Sequence, residues 1–241
     1  MDRTRFQNDG FALVRDCMPR SAIDRLLSRF LDLVSELSGR RFDDAHSEEI
    51  ASFLGRNRDV QARVYDDIRK PNWLVEFSLE SCLVDAVAAV AGTTDLVLQG
   101  KIPFRIDTPR ETSELAVWHQ DHWYVRGNTE ILTAWIPMQD TGYLNGCLAV
   151  MPGSHKLGPL DHSVVVLNKR HVPRDVYDRE MRYVEMRKGD VLLFHSLLLH
   201  SSNINLSRSI RYSAQPRYSP ARLPTDSAMG ERIAVAQQPT R

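Results

Sequence analysis

Hydrophobic positions change rhythm partway along the chain. Up to about residue 92 they recur at helical spacing, and from about residue 95 they come in short runs separated by turn residues. Ile23, Leu26, Leu27, Phe30, Leu33, Val34 and Leu37 predict a helix that opens at Pro19-Arg20-Ser21, with Ser21 as its N-cap, and closes at Gly39. Its single apolar stripe reads as a packing element. Ahead of it, Asp9-Gly10 marks a turn into the apolar Phe11-Ala12-Leu13-Val14. Ile50, Phe53, Leu54, Val60, Val64 and Ile68 predict one or two amphipathic helices over 47–70. Pro71 then interrupts, and a further helical pattern runs from Trp73 to Ala91 and stops at Gly92.

The second rhythm predicts strands. Leu96-Val97-Leu98 ends in the polar Gln99-Gly100-Lys101, and Ile131–Ile136 leads to the turn Asp140-Thr141-Gly142. Cys147–Met151 stops at Pro152-Gly153. Val164–Leu167, Tyr183–Met186 and Val191–Phe194 are further short runs, and Ile210–Tyr218 alternates apolar with polar. Many short strands with turn signals imply a mainly β sandwich or jelly roll, here preceded by packing helices. The expectation is one domain over 1–241: a helical part at about 19–92, a jelly-roll core at about 95–218, and a tail at about 223–241 that loses order toward its end.

Composition narrows the function classes. The chain has 241 residues, enough for one sizeable core, and 31 basic residues balance 31 acidic ones. That balance argues against a chain held to nucleic acid or to an anionic membrane by its overall charge. No apolar run approaches the roughly 18 residues of a spanning helix. Cys17, Cys82 and Cys147 are few and far apart, which speaks against a disulfide framework and for a reducing cytoplasm.

The chemistry concentrates in Trp118-His119-Gln120-Asp121-His122-Trp123. A His-x-Asp pair on an extended segment points two ligands to one side. A distant histidine added to them makes the two-histidine, one-carboxylate face that holds a divalent ion and leaves positions open. Residue types alone do not choose iron over zinc. His200 and His195 compete for the third place. His200 is favoured because Ser202 and Arg211 follow it, a hydroxyl and a planar guanidinium suited to a carboxylate. Against this stands the plainer reading of Arg211 as a strand surface residue beside Arg208 and Arg217. Trp123, Tyr124 and Val125 favour an extended segment, where positions 119 and 122 face opposite sides, so His122 reads as a support to the ligands, as substrate-facing or as merely structural.

These segments resemble the phytanoyl-CoA dioxygenase family of Fe(II)- and 2-oxoglutarate-dependent oxygenases. Phe6–Phe11, Trp118–Asp121, Leu132–Asp140, Asn145–Leu148, Pro152–Lys156, Gly189–His195, His200–Asn203 and Arg211 carry the resemblance, in order, as far as Tyr218. It implies a double-stranded β-helix, with His119, Asp121 and His200 as Fe(II) ligands. It also implies that Arg211 and Ser202 hold the far carboxylate of 2-oxoglutarate, with Gln99 or Lys101 assisting. Because Asp121 is present, hydroxylation is expected rather than the halogenation of relatives in which a small residue replaces the carboxylate.

The expected activity is hydroxylation of an unactivated C–H in a small metabolite, consuming 2-oxoglutarate and O2 and releasing succinate and CO2. His122, Tyr124, Arg105, His155 and Arg217 are the substrate-facing candidates, with Asp107 and Arg126 nearby. Two other readings compete: a non-enzymatic jelly roll that binds metal or ligand, and a zinc-dependent hydrolase using the same three ligands.

Overall fold

The computed structural model describes residues 3–70, 72–112, 115, 117–166, 169–173 and 180–235. The early part of the chain folds into α1 (Arg3–Asp9), α2 (Arg20–Ser38), α3 (Glu48–Arg56), α4 (Arg58–Asp67), α5 (Trp73–Ser78) and α6 (Ser81–Ala91). Helix α2 buries Ala22, Ile23, Leu26, Leu27, Phe30 and Val34, as the spacing predicts, and Gly39 ends it in the left-handed region.

Two details depart from the sequence reading. Ser21 lies inside α2, because the Pro19 carbonyl already accepts from the Ala22 and Ile23 amides and no side-chain cap forms. The pattern from Trp73 to Ala91 is two helices, broken at Leu79 and Glu80. Leu74, Phe77, Leu83, Val84 and Val87 bury against the same core on both sides of the break, so the periodicity conceals it.

Eight strands build the larger sheet: β1 (Phe11–Val14), β2 (Leu96–Gln99), β3 (Phe104–Asp107), β4 (Leu132–Pro137), β9 (Val191–His195), β11 (Arg211–Ala214), β12 (Arg217–Pro220) and β13 (Arg232–Val235). β9 lies between β1 and β4; on its other side β4 is paired by β12 along its first half and by β11 along its last. β3 pairs β11, and β2 lies between β12 and β13. The smaller sheet is β10 (His200–Ser201), β5 (Leu148–Val150) and β8 (Arg182–Val184), and the bridge between His119 and His200 extends it by one segment. β6 (Val164–Val166) and β7 (Lys169–His171) form a separate hairpin. This double-stranded β-helix is the jelly roll that the strand rhythm predicts. β13 was not foreseen: the tail contributes an edge strand to β2, and residues 236–241 lie outside the described ones.

Alternation along the strands sorts the side chains into two environments. Phe104, Ile106, Leu132, Ala134, Ile136, Tyr212, Ala214 and Tyr218 face the helices and join the main apolar cluster. Trp135, Leu148, Val150, Val184, Leu192, Phe194 and Leu198 make a second cluster between the sheets. The residues alternating with the first set, among them Thr133, Arg211, Ser213 and Arg217, therefore share the inward side, and register places Gln99 and Asp107 beside them. No helix among the described residues is long and apolar enough to cross a membrane.

Candidate metal centre

His119, Asp121 and His200 come together although His200 is far along the chain, because antiparallel pairing places two of them side by side. The amide of each histidine donates to the carbonyl of the other, at 3.0 and 3.1 Å, and their rings stand 4.2 Å apart between centroids. Asp121 then opens a short helix, α7 (Asp121–Val125), so the segment is not extended beyond Gln120 as the sequence reading had it. Tertiary packing overrides the β propensity of Trp123, Tyr124 and Val125: Trp123 stacks on His162 at 4.9 Å and Val125 is buried with Ile131 and Met229.

Backbone carbonyls orient the two imidazole rings. His119 Nδ1 lies 2.7 Å from the Val117 carbonyl and His200 Nδ1 lies 3.0 Å from that of Leu198. A carbonyl only accepts, so each Nδ1 carries the proton and each Nε2 keeps its lone pair. Both Nε2 atoms stand 3.8 Å from Asp121 Oδ1, and the three donors lie within 4.8 Å of one another. Burial holds both imidazoles below their ordinary range, with His200 a further cause for His119. Burial would raise the Asp121 carboxyl, but Arg217 first, then His200, His119 and Thr133, keep it well below the usual carboxylate range. Two neutral imidazoles and one carboxylate are the deprotonated set that a divalent cation requires.

The other Asp121 oxygen is engaged. Thr133 Oγ1 donates to Oδ2 at 2.6 Å and Arg217 Nε at 3.2 Å. Arg217, expected to face substrate, thus touches a metal-ligand candidate. Thr133 was missed, though a polar residue in the apolar run Ile131–Ile136 was a visible signal.

The remaining candidates separate. Arg211 is buried inward over Trp135; its Nη1 donates to the Gly146 carbonyl and its Nη2 to Asp107 at 2.5 Å. Gly146 has a φ of 83°, and a Cβ there would meet the Asn203 carbonyl oxygen at 2.5 Å, so only glycine presents that carbonyl. Arg105 also binds Asp107, at 2.6 Å. Burial raises the Asp107 carboxyl, and Arg105 followed by Arg211 more than offset that.

Gln99 is 2% exposed, and neither amide atom has a partner among the described residues; Lys101 is exposed. Ser202 follows β10, half-buried. Tyr124 sets its ring edge-on to His119 at 5.6 Å and donates to the Arg170 carbonyl. His122 lines a cleft of about 280 Å³ with Trp123, Arg126, Leu160 and His162. His155 is elsewhere: it packs on His195 at 5.3 Å and bonds the Gln7 carbonyl. His195, the rival third ligand, uses Nδ1 to accept from the Leu197 amide and stands outside the convergent triad.

Comparison with known proteins agrees with this geometry. The family model described as "Phytanoyl-CoA dioxygenase (PhyH)" matches residues 6–213. A probable phytanoyl-CoA dioxygenase of Caenorhabditis elegans is 26% identical over 229 residues, covering 90% of this chain and 73% of the relative. A 1-deoxypentalenic acid 11-beta-hydroxylase of Streptomyces exfoliatus is 36% identical over 122 residues, 46% of this chain and 43% of that protein. The epimerase SnoN from nogalamycin biosynthesis, solved with Fe3+, alpha ketoglutarate and nogalamycin RO, superposes with a TM-score of 0.67 at 17% identity, over 99% of this chain and 91% of its own. At that identity the superposition speaks for the fold, while the family match spans the fold and all three metal-ligand candidates. The chain belongs to the phytanoyl-CoA dioxygenase family, whose class is the Fe(II)- and 2-oxoglutarate-dependent oxygenases.

Proposed function

We propose that this chain hydroxylates an unactivated C–H bond of a small polar metabolite, with 2-oxoglutarate and O2 as cosubstrates. The observation that carries this is the convergence of His119 Nε2, Asp121 Oδ1 and His200 Nε2, each held in place by a hydrogen bond at its other polar atom. These three atoms would hold Fe(II). Bound Fe(II) would supply O2 activation coupled to decarboxylation of 2-oxoglutarate, yielding succinate and CO2.

A 2-oxoglutarate site fits the inward face of the larger sheet. Arg211 Nε, Ser213 Oγ and both atoms of the Gln99 amide are buried with no partner among the described residues. Orphaned polar atoms in a dry interior are costly, and a keto-dicarboxylate offers acceptors to the three donors among them, Arg211 Nε, Ser213 Oγ and Gln99 Nε2. We assign the far carboxylate to Arg211, with Ser202 and Ser213 as hydroxyl donors, and a second contact to Gln99. Exposed Lys101 is the weaker rival of Gln99. Asp107 aligns Arg211 and also pairs with Arg105.

For the substrate, Tyr124 beside His119 and the cleft of His122 and Arg126 supply polar groups on and just after α7. They support a small molecule with polar or anionic substituents. Neither this cleft nor the larger cavities, about 490 Å³ between α4 and β3 and about 820 Å³ between β1 and β8, is lined by any of the three metal-ligand candidates, so it is Tyr124 on His119 that ties these polar groups to the centre. Three free thiols suit a reducing compartment such as the cytoplasm.

The test is anaerobic loading with Fe(II), addition of 2-oxoglutarate and then O2, and assay of succinate against a panel of polar metabolites and acyl thioesters. Succinate that depends on iron and O2 and rises with one panel member is the expected result. Turnover of a panel member by zinc-loaded protein without O2 would overturn the reading in favour of a hydrolase.

A further inference from the structure

We infer that Arg217, together with Thr133, is a positioning residue that restricts Asp121 to a single metal-binding oxygen. The inference rests on the metal-centre reading above and goes beyond it, since it concerns a residue outside the ligand set.

The geometry begins with strand register. Arg217 on β12 and Thr133 on β4 are direct partners, and direct cross-strand neighbours on one face have Cβ atoms about 5 Å apart. Both point inward, and both reach the same atom, Asp121 Oδ2. On the outer side the neighbouring residue anchors the strand: Tyr218 is fully buried and its hydroxyl donates to the Ser78 carbonyl at 2.6 Å. Pro216, whose carbonyl accepts from the Ala134 amide, separates β12 from β11 and sets the start of β12 at Arg217. The guanidinium is therefore delivered to Oδ2 by the backbone rather than by a flexible loop.

The chemical consequence follows from lone-pair counting. A carboxylate oxygen has two acceptor directions, and Oδ2 spends both, one on a hydroxyl and one on a guanidinium. Oδ1 alone faces the two Nε2 atoms, at 3.8 Å from each. A single oxygen from Asp121 leaves three positions of a six-coordinate ion for exchangeable ligands; a chelating carboxylate would leave two. The pairing is also dry, with the Arg217 side chain 9% and the Asp121 side chain 5% exposed, so solvent does little to screen it.

A purely structural ion pair would affect folding but not the behaviour of the metal in folded protein. The experiment separates the two. Wild-type, Arg217→Met, Arg217→Lys and Thr133→Val proteins are titrated anaerobically with Fe(II) by calorimetry. The visible charge-transfer absorption of each Fe(II)–2-oxoglutarate complex is recorded, and folding is checked by circular dichroism. Arg222→Ala serves as an exposed control, since Arg222 lies on the surface, paired with Glu130.

Loss of a partner that orients a metal ligand costs about 10- to 100-fold in affinity. Arg217→Met is expected to fall in that range and to shift the absorption band. Arg217→Lys should recover part of the affinity, Thr133→Val should lose less than Arg217→Met, and the control should match wild type. A folded Arg217→Met protein with wild-type or tighter Fe(II) affinity and an unshifted band overturns the proposal. If that variant does not fold, Arg217→Lys and Thr133→Val decide: wild-type affinity and band in both overturn it. Wild-type protein that binds no Fe(II) would remove the metal-centre reading itself, and the role of Arg217 with it.

Discussion

Replacing Gln99 by methionine should make the empty protein more stable and the working protein worse. Gln99 ends β2 on the inward face, 2% exposed, and neither its carbonyl oxygen nor its amide nitrogen has a partner among the described residues. Leaving a buried polar group unpaired costs about 1–3 kcal/mol, and methionine has nearly the same shape without that cost. For a chain of this size each kcal/mol moves the melting temperature by about 2–4 °C, so the metal-free variant should melt about 2–12 °C higher. Binding should change in the opposite sense. A hydrogen bond to a charged group contributes about 1.5–3 kcal/mol, and its loss should weaken 2-oxoglutarate by about 10- to 150-fold. Scanning calorimetry of the metal-free proteins and anaerobic titration of 2-oxoglutarate into the Fe(II) forms measure both effects. A melting temperature several degrees lower would mean that the amide has a structural partner. Unchanged 2-oxoglutarate affinity would mean that Gln99 does not touch the cosubstrate, and either result refutes the argument.

Asp121→Ala should abolish iron-dependent succinate formation and lower Fe(II) affinity by at least about 100-fold, since it removes a ligand and leaves Arg217 buried without its carboxylate; calorimetric titration and the succinate assay check this. Arg211→Ala should raise the KM for 2-oxoglutarate and also lower the melting temperature, because Asp107 loses one of its two guanidinium partners; Arg208→Ala, on an exposed ion pair with Glu48, should do neither. Burial, then His155 and His122, hold His195 down at about 4 against an ordinary 6.5. The unfolded chain therefore takes up that proton first, so the His195 contribution to stability is intact above about pH 6.5 and is lost as pH falls toward about 4. His195→Gln should flatten that part of the melting-temperature profile between pH 7 and pH 4, and an unchanged slope would contradict the assignment.

Most of the strands were legible in the sequence because their apolar runs are bounded by turn residues, and α2 because its stripe is unbroken. The divided helix at Leu79 and the edge strand Arg232–Val235 were not, for different reasons. Apolar periodicity continues across the break between α5 and α6, since both helices bury into one core. β13 is an exposed strand whose pairing with β2 depends on where the tail comes to lie. The helical turn at Asp121–Val125 was misread as extended because local propensity was outweighed by the stacking of Trp123 on His162 and the burial of Val125.

Local order determined the kinds of chemistry available: His-x-Asp within two residues, a later histidine, and an arginine eleven residues after it are features of the chain itself. Strand register, a property of the folded sheets alone, decided which partners those groups meet. It set His119 opposite His200, Arg217 opposite Thr133 and Arg211 opposite Asp107. That is why Arg217, which in the sequence is one arginine among many, lies on the carboxylate of Asp121, a metal-ligand candidate. It is also why His155, close to a recognisable motif, lies against His195 instead. Residue identity is written along one dimension, whereas hydrogen-bond partners are chosen by the cross-strand neighbours that only the assembled barrel supplies.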